Sequence, residues 1–218
     1  MLTSRSIIVC ALLMVFSYGA QGAVVSFDLS VEFSGATPPA GAEPWLNATF
    51  DDEGSAGSVT LTLTTTPTPT TGLTGTESVS EWMFNLDPSL NPTELIFSSP
   101  TKTGSFDNPV INTGVDAFKA NGAGYFDIEF AFIIGGGPST RFGAGDVIEY
   151  AITGIDSLTA ESFNFLCTSA EHGPFPTSAH VQSIGDEEDS GWVTVPEPAT
   201  LSLLVLGGLG ILKRRRRR

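Results

Sequence analysis

Two runs of carboxylates are the first places where chemistry could sit: Asp51-Asp52-Glu53-Gly54 and Asp186-Glu187-Glu188-Asp189, the latter between Gly185 and Gly191. Hard cations take oxygen ligands, so Asp51, Asp52, Asp186 and Asp189 are the candidate ligands for a bound Ca2+. Neither run has the Asp-x-Asp-x-Asp-Gly order with a later Glu, and neighbouring side chains diverge, so each also reads as a solvated turn. His172 and His180 lie eight residues apart with Gly173, Pro174 and Pro176 between them, which matches no zinc-ligand spacing. Cys167 follows the apolar Phe163-Asn164-Phe165-Leu166 and reads as a buried small hydrophobe on the Phe163 and Phe165 face of a strand. A glycosidase needs two carboxylates brought together in space, and nothing in the sequence singles out a pair. Sugar stacking needs flat exposed rings: Trp82 is in register with Phe84 and Leu86 and reads as core, whereas Trp45 and Trp192 sit at strand edges and are the candidate carbohydrate contacts.

The elements that must position these groups are strands. Phe27, Leu29, Val31 and Phe33 alternate with polar residues, as do Val59, Leu61 and Leu63; Trp82, Phe84 and Leu86; Phe126, Ile128, Phe130 and Phe132; and Ile148, Tyr150 and Ile152. Phe163 with Phe165 extends the set, and Leu95 to Phe97, Ala179 to Val181 and Trp192 to Val195 are weaker members. A strand with one apolar face needs a covering layer, so about seven to ten of them predict an all-β, antiparallel two-sheet sandwich, of which a jelly roll is one form. Thr64 to Thr76, with Pro67, Pro69 and Gly72, reads as a polar surface loop.

The chain has 218 residues, enough for one ordinary domain, with 41% hydrophobic residues and a net charge of −14. Between residues 23 and 195 only Lys102, Lys119 and Arg141 oppose 23 acids, which argues against nucleic acid as a partner. The remaining cations stand at the two ends. Arg5, the apolar run Ile7 to Phe16, and Ala20-Gln21-Gly22 have the order of a secretory signal peptide, cut between Gly22 and Ala23 after entry into the Sec translocon. At the other end Ala199 to Leu212 carries no charge and is followed by Lys213 and five Arg. As a helix it reaches about 21 Å, short of a ~30 Å hydrocarbon core, and snorkelling by Lys213 makes up part of the difference. The basic cluster would stay cytoplasmic, leaving everything before Pro196 outside.

Pro196-Glu197-Pro198, a short apolar stretch and a terminal Arg run together resemble the PEP-CTERM sorting signal of exported proteins in exopolysaccharide-making Gram-negative bacteria. The resemblance implies that exosortase, a membrane transpeptidase-like enzyme, recognises Pro196, Glu197 and Pro198, removes the tail and passes the protein to the cell surface or matrix. It also implies that Ala199 to Leu212 anchors the precursor and that Lys213 to Arg218 retains it. Two prolines one residue apart hold the chain extended, as a protease cleft requires.

The expected organisation is therefore a signal peptide at 1–22, a β-sandwich at 23–195 and a sorting signal at 196–218. The expected function is that of a non-catalytic surface or matrix protein associated with exopolysaccharide or biofilm. A carbohydrate-binding module is the second reading and a polysaccharide-active hydrolase the third. No cofactor is expected beyond a possible Ca2+.

Overall fold

The computed structural model describes residues 22–66, 68–137, 139–168, 171–185 and 188–196. The expected signal peptide before Gly22, the apolar stretch 199–212 and the Arg run lie outside them. Among the described residues no helix is long and apolar enough to cross a membrane.

Among the described residues thirteen strands form two antiparallel sheets packed as a sandwich. The first sheet has the order β1 (Val24–Leu29), β3 (Leu46–Asp51), β4 (Val59–Thr64), β11 (Val147–Thr153) and β6 (Ile96–Phe97), with β7 (Thr101–Thr103) also on β11. The second has β2 (Val31–Glu32), β13 (Asp189–Thr194), β12 (Thr177–Ile184), β5 (Ser78–Phe84), β9 (Gly124–Ala131) and β8 (Val110–Ala120), with β10 (Phe142–Gly143) beside the start of β5. The chain changes sheets at Ser30, whose N–H donates to the Thr194 carbonyl at 2.9 Å.

Alternation explains the layers, because successive side chains on a strand point to opposite faces. In β3 and β4 every second residue is buried, and Leu46, Ala48 and Phe50 meet Val59, Leu61 and Leu63 in the interior. Phe50 lies at the centre of the core, stacked on Phe163 at 4.2 Å and edge-on to Phe27 and Phe84. Trp82 is fully buried, and its indole N–H donates to Thr177 Oγ1 at 3.0 Å, which in turn donates to the Met83 carbonyl at 2.8 Å.

A second, smaller cluster joins Met83, Ala120, Ala123, Phe126, Cys167, Phe175 and Trp192. It packs the segment after Phe163 against the sheet. That segment is not the expected strand: Ala160–Phe163 is a 3₁₀ turn, and the chain beyond it is irregular. Phe163 consequently belongs to the main core and Cys167 to the smaller cluster, rather than sharing a strand face. The loop after β4 is also more than a surface loop, since Thr65 and Leu73 are buried and Thr65 Oγ1 donates to the Gly143 carbonyl at 2.6 Å.

Candidate functional site

The acidic turn after β3 holds the fold together rather than presenting its carboxylates to an ion. Asp52 is buried, with Oδ1 accepting from the N–H of Ala23 at 2.8 Å and of Gly54 at 3.0 Å, and Oδ2 accepting from the N–H of Ala160 at 3.2 Å. The Gly54 bond is foremost in holding the Asp52 carboxyl below the ordinary range, against the opposing effect of burial. Asp51 accepts from the N–H of Glu53 at 2.8 Å, closing a local turn. Asp189 accepts from Thr37 Oγ1 at 2.7 Å and ties the loop after β2 to the start of β13, while Asp186 lies outside the described residues. No group of three or more His, Cys, Asp or Glu among the described residues converges as a metal site.

The rings expected at the surface are inside it. Trp45 is 4% exposed, its indole N–H donating to the Gly41 carbonyl at 2.8 Å. Trp192 is 9% exposed, packed in the smaller cluster and stacked on His180 at 4.9 Å. The sequence placed both at strand edges, but the loop before β3 folds back over Trp45 and the cluster around Cys167 and Phe175 packs against Trp192, so neither offers the open face that sugar stacking needs. Cys167 is buried, as its apolar approach predicts; Sγ donates to the Ala123 carbonyl at 2.8 Å and accepts the Phe175 N–H at 3.2 Å. Burial pushes its thiol up.

What the sequence did not show is a polar row across the outer face of the second sheet. By register, Trp192 stands opposite His180, His180 opposite Glu81, Met83 opposite Glu129, and Glu129 opposite Asn112. Glu81 points away from the core because Trp82 points into it. Asn112 Nδ2 donates to Glu129 Oε2 at 2.8 Å, and His180 Nδ1 shares a hydrogen bond with Ser80 Oγ at 2.8 Å. Burial, and then the neighbouring Glu129 charge, push the Glu81 carboxyl up, while burial lowers His180. A carboxylate pair with one member biased toward its protonated form is the raw material of acid–base chemistry, and equally a set of donors and acceptors for sugar hydroxyls. Glu129 is visible in the sequence only as an alternating strand acid. Its meeting with Glu81 depends on the β5–β9 register, which no local pattern reveals.

Elsewhere a polar cleft of about 260 Å³ is lined by Glu77, Ser78, Ser105, Arg141, Asp146 and Ser183 among others. Its acids also brace loops: Glu77 accepts from the N–H of Ala40 at 2.7 Å and of Thr74 at 2.8 Å, and Asp146 from the N–H of Gly143 at 2.8 Å.

Strand β13 ends at Thr194, Val195 still packs on the core, and Pro196 is exposed. Glu197 and Pro198 lie outside the described residues. A family model described as the PEP-CTERM protein-sorting motif matches residues 194–218, beginning where the last strand ends. No curated protein and no solved structure matches the chain. The motif supports an exported bacterial protein, made as a membrane-anchored precursor and sorted by the membrane enzyme exosortase.

Proposed function

We propose that this protein is a non-catalytic β-sandwich, exported through an N-terminal signal peptide, released by exosortase and held at the cell surface or in the matrix with exopolysaccharide. The observation that carries the reading is the junction at Thr194, where the folded layer ends and the sorting motif begins with almost no linker. The sandwich is then cargo delivered by the motif. Its best-placed acids serve as internal braces, which suits a scaffold that must persist outside the cell.

The outer row of Asn112, Glu129, Glu81 and His180 is the surface offered to polysaccharide hydroxyls, in place of the buried Trp45 and Trp192. In the native host, replacing Pro196-Glu197-Pro198 by three alanines should leave an uncleaved, membrane-associated precursor, while the wild-type protein fractionates with exopolysaccharide. Normal release of the triple-alanine variant would refute the sorting role.

One observation favours a polysaccharide-active hydrolase as the second reading, namely the Glu81 and Glu129 pair with its biased protonation. Release of reducing ends from the host polysaccharide by wild-type protein, abolished in Glu81→Gln, would establish it. No release from either protein agrees with the scaffold.

A further inference from the structure

Residue 23 is gripped at both of its backbone polar groups by one side chain's residue. The Ala23 N–H donates to Asp52 Oδ1 at 2.8 Å, and the Asp52 N–H donates back to the Ala23 carbonyl at 3.2 Å. The same carboxylate reaches Gly54 N–H on its own turn and Ala160 N–H at the 3₁₀ turn, so it ties the start of β1 to two other parts of the chain. Asp52 is 7% exposed, and Ala23 packs against the main core. No lysine or arginine side chain contributes a hydrogen bond to this carboxylate among the described residues, so its bonds come from peptide N–H groups alone.

We propose that Asp52 is the receptor for the new amino terminus, the Ala23 α-ammonium, created by signal-peptide removal. The inference rests on the exported reading given above. Hydrolysis of the Gly22–Ala23 amide places the hydroxyl of water on the Gly22 carbonyl carbon and its hydrogen on the Ala23 nitrogen. That nitrogen then takes up the proton that the new Gly22 carboxyl releases. An amide donor becomes a charged one at the same atom, and a hydrogen bond becomes a short, half-buried ion pair. The Asp52 charge thus acquires its counter-ion only in the processed protein.

The order of events follows from Gly22. A Cβ at this position would lie 2.7 Å from Gly54 N and 3.0 Å from the Glu53 backbone, so in the folded chain the Gly22–Ala23 bond lies against the β3–β4 turn. A protease needs that bond extended and free, so the cut precedes docking, and the ammonium closes the grip afterwards. The other charged groups around the site are acidic: Asp51 opposite Val24 in the register, Glu53 on the turn, and Glu161 on the 3₁₀ turn whose Ala160 binds Asp52. All of them favour a cation at Ala23.

The test uses exported protein recovered from the host, with its first residue read by mass spectrometry. The α-amine is reductively methylated with 13C-formaldehyde, which keeps the charge, and its resonance is followed against pH. The expected result is a start at Ala23 and an α-amine titrating above the ordinary ~7.7–8.0. In Asp52→Asn it returns to the ordinary range. Acetylating the α-amine of the wild-type protein, which leaves Asp52 in place, should lower the urea midpoint and remove the loss of stability as pH rises above the ordinary amine range of ~7.7–8.0. The sign follows from a raised amine: its contribution is full below the unfolded pKa and is lost as pH rises through the folded one. A start at Ala23 with an ordinary α-amine, or an acetylated protein as stable as the free one, overturns the proposal and leaves export intact. A start at any other residue overturns both the proposal and the assigned cleavage point.

Discussion

Cys167 shows how a residue type acquires its role from what surrounds it. Its sulfur is enclosed by Ala123, Gly124 and Phe175, donates one hydrogen bond and accepts another, and has its ionisation pushed up by burial. Such a thiol should react slowly with a thiol reagent in the folded protein and rapidly after denaturation; fast labelling of the native protein would contradict its burial. Glu81 is the opposite case, a carboxylate whose environment disfavours its charge. Glu81→Gln should raise stability at pH 7 by about 0.2–1 kcal/mol, the range for a cross-strand pair. Because a raised carboxyl group costs stability only where it is ionised, that gain should fade as pH falls toward the ordinary Glu value near 4.5. Urea unfolding at pH 7 and pH 4.5 checks it, and an equal gain at both would show that charge is not the cause.

At the scale of elements, alternation was a reliable guide wherever one face met the core. The strands at Val24–Leu29, Val59–Thr64, Gly124–Ala131 and Val147–Thr153 all follow it. Strand β3 obeys the same rule, with Leu46, Ala48 and Phe50 turned inward, but small Ala48 and the acidic cluster that ends the run weaken its signal. Strand β8 had no such signal, because it is the sheet's edge and most of its residues are half-buried or exposed. Phe163, Phe165 and Cys167 misled in the other direction: period two over five residues also fits a 3₁₀ turn followed by an irregular segment that crosses between two clusters. Gly124 fixes that crossing. It has φ of +126°, and a Cβ there would lie 2.8 Å from Cys167 Sγ and run into the Thr168 carbonyl. Gly124→Ala should therefore cost about 1–3 kcal/mol and speed labelling of Cys167, as Cys167 and Thr168 are pushed off the sheet. An unchanged urea midpoint with unchanged labelling would show that the segment is held by other contacts.

For the molecule as a whole, the C-terminal end was legible as an ordered pattern, a proline triplet, an apolar stretch and an Arg run, which the sorting-motif model matches over 194–218. The sandwich could be expected from alternation alone, but which acids meet depends on register and loop path. That is why Asp52, a candidate cation ligand by residue type, is a brace, and why no local pattern brings Glu81 and Glu129 together. Burial of Trp45 and Trp192 has the same origin, since their cover comes from loops whose course no periodicity specifies.

The central claim is that the sandwich is cargo released from a membrane precursor by cutting near the proline triplet. Intact mass spectrometry of the wild-type protein recovered from the cell surface tests it most directly. The expected chain has lost the apolar stretch and the Arg run. A surface protein still ending at Arg218 would contradict it.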